Sequence, residues 1–591
     1  MMMNEDQVND IIRRWRNAPE EDLKPEDYQQ FKSLGSACLN EGDSAQLLKF
    51  LQNEKNQGIV KSMGCVLVAP LVNEAVKNKK SFDHCQAAIT HLSRACRPDE
   101  LLHSFLELIE DIDPGAISET ILVLVPHLQT VLLCLEERKA AGVGSALFAL
   151  QKQLSRLPVP YTQRQVEADE HGLCRCCNAL AAFTKPFIEA AMRKNGNYIT
   201  NSEEEELRME LFKFCMRSLR DPLLQAELNR DRKSSLWIFA TEIMVTLPAI
   251  QVSVSELLFF NSLKKSTQTD NSQSRESRAC LAYLLFVQLI TLDSFPAVFR
   301  PVFVLQCNME HINQLLNSKN ESHLLKGLAL YTKSLESVED NSLPVSLLDL
   351  KSFYDVPQNL RKLLTDCPIQ HLRESGLQVL QLFINKLDAE AKHKFFRCML
   401  KTSNHAGVES YVVKNIRNQV EFSMKPGNTN KWFLGEELLS LLGLVLCLPQ
   451  GAQTDLLNSM DRIMESLSLL RYLVIRDKEL RSPTDVWEKL CRIKDEYLKM
   501  LRVCIGISRG YYSAELKALR EDQKLKAREA RDAARATRLV KSITVKHENV
   551  SNMSPEVQHQ VLQSALVTFD LMESLIVRIE EITEEKRKIL T

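Results

Sequence analysis

The stretch TDLLNSMDRIMESLSLLRYLVI, Thr454 to Ile475, decides the fold. Leu456, Leu457, Met460, Ile463, Met464, Leu467, Leu470, Leu473 and Val474 recur at steps of three and four and fall on one stripe, while Asp461, Glu465 and Arg471 fall elsewhere. That spacing belongs to an α-helix with one apolar side, and not to the alternation of a strand. Such a helix is marginal alone, so the stripe requires a neighbouring helix.

The same pattern extends outward in both directions. Towards the C-terminus, Ser554 is placed to cap a helix whose first position is Pro555, where a missing N–H costs nothing. Val557, Val561, Ala565, Phe569, Met572, Ile576 and Ile579 then repeat at core spacing, and Lys586, Arg587 and Lys588 face the negative end of the helix dipole. Towards the N-terminus, Leu-rich segments alternate with short breaks, such as the Cys367-Pro pair, NKLD from Asn385 and LPQGA from Leu448. The predicted fold is all-α: a degenerate HEAT/armadillo-like helical repeat stack in two halves. Residues 1–260 form the N-terminal repeat region and residues 279–591 the C-terminal one. Between them, Lys264 to Arg278 contains no apolar residue and is expected to be a mobile polar insertion, because it cannot offset its own ordering entropy. Asn195 to Glu206 reads as a polar connector, and SITVK within Leu539 to Ser554 as a brief extended piece.

The 591 residues exceed what one hydrophobic core organises, which favours several domains or an open stack. Lys plus Arg number 75 against 76 for Asp plus Glu, so no general field attracts a polyanion and nucleic acid is not an expected partner. The sixteen Cys are scattered through apolar helical windows, as at Cys134 and Cys447, and read as reduced, buried thiols of a cytoplasmic protein. The polar start MMMNEDQVN is unlike a secretory leader. The windows Ile121–Leu135 and Leu438–Leu448 are short or interrupted by Pro126 and His127, so no membrane-spanning helix is expected.

Chemistry is sparse. His171, Cys174, Cys176 and Cys177 form a metal-like cluster, but no second ligand pair follows, and buried structural thiols are the stronger reading. Phosphate-binding, HExxH and GxSxG motifs are absent, and GVGS at Gly142–Ser145 reads as a turn. No catalytic residue, metal or cofactor is expected. Leu516 to Lys541 is basic and Ala-rich, a solvated helix supported by pairs such as Glu521 with Lys524. A more selective signal lies between Tyr411 and Phe433. Val413, Ile416, Val420 and Met424 form a core stripe, with Lys414, Arg417 and Lys425 beside it. The turn PGNTN then leads into Lys431, Trp432 and Phe433. Basic residues beside a Trp suit an interface hot spot, although Trp432 packing inward is an equal alternative.

At these residues the chain resembles the glomulin family, also described as FK506-binding-protein-associated proteins. The resemblance rests on LPVPY at Leu157–Tyr161, GLCRCC at Gly172–Cys177, FTKPF at Phe183–Phe187, LQLFINKLD ending at Asp388, NKWF at Asn430–Phe433, the Asp461–Ile475 stretch and SALVTFDL from Ser564. It implies a HEAT-like regulator without catalytic chemistry. Such a regulator binds the RING domain of the RING-box subunit of cullin-RING ubiquitin ligases and covers the surface that recruits the ubiquitin-conjugating enzyme. The RING-binding surface would lie in residues 279–591, carried here by Lys414, Arg417, Lys425, Lys431 and Trp432. The family pattern has more basic residues after Lys425 than PGNTN supplies. The resemblance also implies an FK506-binding immunophilin as a partner and a location in the cytoplasm or nucleus. A general solenoid adaptor is the alternative.

Overall fold

The structure is a computed structural model and describes residues 5–192, 202–228, 232–260, 272–292, 295, 299–428, 430–476, 486–536 and 555–588. Among these the chain is helical, with no strand and one isolated parallel bridge between Leu343 and Leu387. It forms an all-α stack of paired helices in two compact units, Met1–Ser337 and Val338–Thr591.

In the first unit, neighbouring helices cover one another's apolar sides. Val68–Lys77 packs on Phe82–Ala95, Lys139–Leu154 on Ser202–Ser218, and Pro301–Leu316 on Glu321–Glu336. Three expectations change here. The GVGS segment lies inside the Lys139–Leu154 helix and is not a turn. A Cβ at Gly142 would meet Leu135, Leu102 and Leu132 side chains at 3.1–3.2 Å, so the small residue serves close helix packing. The Ile117–Cys134 helix runs through Pro126 without a break, its side chains buried on either side of the proline. Packing there offsets the lost hydrogen bond.

The third change concerns polar segments. The units divide after Ser337, later than the segment singled out from composition. Of that segment, residues 264–271 lie outside the described residues, but Ser272–Phe286 is a helix. Ser277 and Arg278 are buried in it, and Ser277 Oγ donates to the Met216 carbonyl at 2.6 Å. Likewise Ser202–Glu206 opens the Ser202–Ser218 helix, with Glu203, Glu204 and Glu205 in the first turn where the helix dipole favours them. The expected extended piece at SITVK lies outside the described residues.

In the second unit the predicted breaks separate helices as read. Lys351–Asp366 ends before Cys367-Pro, and Gln370–Lys386 ends where Asp388 caps Ala389–Thr402 through the Ala391 N–H at 2.7 Å. The deciding stretch becomes the Met460–Ile475 helix. Its buried side is wider than one stripe, because Arg462, Ser466 and Leu469 are buried along with Ile463, Leu467, Leu470 and Leu473. Ala406–Ser423 covers one side of it and Pro555–Lys588 another. The last helix docks through Ala565, Phe569, Met572, Ile576 and Ile579, whereas Val557 is exposed. It pairs with Val486–Ala536, in which residues 517–529 are largely exposed, as expected for that part of the basic stretch, and Leu516 is buried; residues 537–541 lie outside the described residues. In the exposed part Asp522 binds Lys526 at 2.7 Å, one turn apart.

Three described stretches, Glu54–Lys77, Pro114–Cys134 and Glu556–Glu585, have the length and apolar content of a membrane span, which corrects the view that such windows were too short. The first is four short helical pieces and not one rod, and 56% and 61% of the first two windows are buried inside the protein.

Candidate functional site

The surface singled out from sequence is built on the Ala406–Ser423 helix. Val408, Val412, Val413, Ile416 and Val420 bury its apolar side, and Met424 ends it half-buried. Glu409 is also buried, where it binds Arg462 at 2.8 Å. Arg462 further donates to the Leu444 carbonyl at 2.9 Å, so a charge pair with satisfied hydrogen bonds fixes two helices in register.

The five candidate residues sit differently. Lys414 is exposed on the outer side of the helix. Arg417, one turn on, is turned into the protein: its Nη1 donates to Ser468 Oγ at 3.0 Å, and its guanidinium lies 5.7 Å from the Tyr472 ring centroid. Its work is therefore helix clamping. Lys425 is exposed on the turn after the helix. The Asn428 side chain shapes that turn by donating to the Phe422 carbonyl at 3.0 Å. Gly427 follows Pro426 with φ +90, a conformation natural to glycine.

The chain then enters the Lys431–Phe433 turn, where Asn430 Oδ1 accepts the Trp432 N–H at 3.1 Å. This turn packs against both Ala406–Ser423 and Ala389–Thr402. Phe433 goes fully inside, its ring 6.1 Å from Phe396 and 6.0 Å from His393. Trp432 does not. It is half-buried, with one contact to the His393 ring at 5.4 Å and the exposed Lys431 ammonium 5.3 Å from its own ring centroid. His393 is held beneath by donating from Nε2 to the Glu437 carbonyl at 3.0 Å. An aromatic plate supported from below and capped by a cation can meet a partner with little loss of side-chain freedom.

Two apolar features escaped the sequence reading. Phe422 is 49% exposed beside Lys425, and the available signal was its position off the Val413, Ile416, Val420 stripe. Met500, Val503, Ile507 and Tyr511 share an outward side of Val486–Ala536, at a spacing that sequence alone assigns to a core.

The Cys-rich segment forms the first turn of Leu173–Ala191, where Cys174, Cys176 and Cys177 are buried and His171 is exposed. Burial pushes the thiols of Cys174 and Cys176 up to about 12 and that of Cys177 well above its ordinary range, so they pack as neutral groups. Among the described residues no group of three or more metal-ligand side chains is gathered. The two thiols offered as examples of burial behave otherwise, since Cys134 and Cys447 are exposed. All sixteen Cys are free.

The surface belongs to a chain with close relatives. Glomulin of Homo sapiens is 44% identical over 601 residues, spanning 99% of this chain and 98% of that protein. Glomulin of Mus musculus is 43% identical over 596 residues, with the same two shares. Among solved structures, the karyopherin Kap121p bound to the SUMO protease Ulp1p aligns with 86% of this chain and 56% of its own, at 12% identity and a TM-score of 0.20. A circular tandem repeat protein of novel repeat topology aligns with 95% of this chain and 91% of its own, at 11% identity and a TM-score of 0.14. Likenesses of that size carry no argument, and the fold rests on the helices themselves. The family model described as "Uncharacterised protein family, YAP/Alf4/glomulin" matches residues 2–565. On that span, and on two relatives matched almost end to end, the chain belongs to the YAP/Alf4/glomulin family.

Proposed function

We propose that this chain binds the RING domain of the RING-box subunit of cullin-RING ubiquitin ligases and blocks recruitment of the ubiquitin-conjugating enzyme by occupying its surface. Family membership supports a regulatory or adaptor protein. The observation that favours this mechanism is the half-buried Trp432 plate under Lys431, in the same unit as exposed Lys425, Lys414 and Phe422.

Inhibition then needs no chemistry from this chain. The helices supply a fixed backdrop, Trp432 and Phe422 supply apolar anchors, and the lysines steer an acidic rim towards them. Arg417 contributes indirectly, by holding the Ala406–Ser423 helix against Ser468 and Tyr472. Steric competition succeeds when the RING affinity exceeds that of the competing enzyme, and about 1,600 Å² of well-packed interface commonly suffices. Action in the cytoplasm or nucleus, without membrane or nucleic acid, goes with this reading.

The test is ubiquitin transfer by a purified neddylated ligase with the full-length chain titrated in. Stoichiometric suppression supports the RING mask. An unchanged rate at saturating protein would leave the adaptor role, with an immunophilin among its partners.

A further inference from the structure

The first three helices, Glu5–Asn17, Pro25–Asn40 and Ser44–Gln52, enclose a cleft of about 1060 Å³ at the far end of the chain from that surface in sequence. The first helix is fastened through its last turn. Trp15 Nε1–H donates to Asp27 Oδ1 at 3.0 Å, Arg14 pairs with the same carboxylate, and Arg16 Nε donates to Asn56 Oδ1 at 2.8 Å. Ahead of this anchor Val8 and Ile12 remain half-buried and line the cleft, together with Leu34, Leu47 and Phe50. Aromatic rings form its floor: Trp15 meets Phe31 edge-on at 5.7 Å, and Phe31 lies 6.2 Å from Phe50.

The cleft carries charge of one sign. Glu26, Glu41 and Asp43 line it and no Lys or Arg does, although Lys32 and Lys49 lie on the same helices. Cys38 in the wall registers the field. Burial first, and then the Asp43 and Glu41 carboxylates, push its thiol up. The volume lies just above the range of about 300–1,000 Å³ that small molecules use, and an apolar, aromatic floor under a polar rim suits a helix laid into a groove.

We propose that this cleft is a docking groove for a short amphipathic helix of a partner protein, apolar on the side that enters and flanked by Lys or Arg. Apolar anchors at i, i+3, i+4 and i+7 would cover Phe31, Phe50 and Ile12, and cations beside them would meet Glu41 and Asp43. The groove lies in the first unit and is independent of RING binding.

The experiment is fluorescence anisotropy on the full-length protein with two labelled helical peptides of about 14 residues. Both carry Leu at i, i+3, i+4 and i+7, flanked by Lys in one and by Glu in the other. The Lys peptide should bind, weaken with added salt, and exceed the Glu peptide by roughly tenfold or more. Glu41→Gln with Asp43→Asn should remove most of that preference without lowering the melting temperature. Ala37→Trp, which fills the exposed cleft wall, should abolish binding while leaving inhibition of ubiquitin transfer unchanged. Equal binding of the two peptides, binding of neither, or full binding by both variants would overturn the proposal. So would a concentration-dependent dimer dissolved by Ala37→Trp, because a second copy would then be the occupant.

Discussion

Replacing Trp432 and Phe433 separately by Ala separates binding from folding at adjacent positions. Phe433 is wholly buried against Phe396 and His393. Its loss removes a full ring from the core, at a cost of about 3–5 kcal/mol of stability. Trp432 has one ring contact at 5.4 Å and one cation 5.3 Å from its centroid. An aromatic pair and an exposed cation–π contact are worth about 0.5–1.5 and 0.5–1 kcal/mol, so its truncation costs about 1–2.5 kcal/mol in folding. If Trp432 is an anchor, the same change costs about 2 kcal/mol or more in association, roughly thirtyfold in Kd. Urea unfolding supplies the first number and titration against the isolated RING-box RING domain the second. The expected outcome is a crossed pattern, with Phe433→Ala unstable and Trp432→Ala stable but weak-binding. Two results refute the reasoning: Trp432→Ala unfolding as readily as Phe433→Ala, or Trp432→Ala melting normally and binding with undiminished affinity.

Other outcomes follow from the same structure. Lys425→Glu should weaken RING association mainly at low salt and through the on-rate, as read by stopped-flow at two ionic strengths, because an exposed charge steers more than it holds. Arg462→Met should destabilise by about 3–5 kcal/mol in urea unfolding, since it strands the buried Glu409 carboxylate, and Glu409→Gln added to it should recover part of the loss. Burial holds His127 and His311 down at about 4, so the unfolded chain takes up their protons first; stability should therefore fall as pH drops from about 6.5 to 4, and His127→Gln with His311→Gln should flatten that limb of a denaturation series. Under native conditions iodoacetamide should label Cys134 and Cys447 well before Cys174, Cys176, Cys177 or Cys280, by peptide mass mapping.

The all-α class was legible because helical periodicity is a local property, repeated in stretches such as Met460–Ile475 and Ala565–Ile579. Breaks at Cys367-Pro and Asp388 were legible too, since caps and prolines act within one turn. What local pattern misassigns are polar residues whose partners lie far along the chain. Lys326 looks like a solvated charge but is buried, donating from Nζ to the Ala226 carbonyl at 2.6 Å across a hundred positions of sequence. The Ser272–Arg278 segment misled for the same reason, since Ser277 and Arg278 are buried and Ser277 donates to the Met216 carbonyl 61 positions away. A composition rule assumes that polar residues face water, and a helical stack breaks that rule wherever a third helix closes over a second.

The candidate surface shows the complementary failure. Lys414, Arg417 and Lys425 read alike as basic residues beside one apolar stripe, yet Arg417 is committed to Ser468 and Tyr472 and the two lysines are exposed. The planar guanidinium suits that inward role, since it can donate along its edge while lying over a ring, which an ammonium does less well. Trp432 and Phe433 divide in the same manner, because a short turn directs successive side chains to different sides. Only one of them can fill the space between His393 and Phe396, and Phe433, with no polar atom to satisfy, is the one that enters. The indole is left half outside. Burial of Phe433 and exposure of Trp432 are thus one event. Any substitution that lets Trp432 sink into the core should therefore release Phe433, and with it the geometry on which the proposed RING binding through this turn rests.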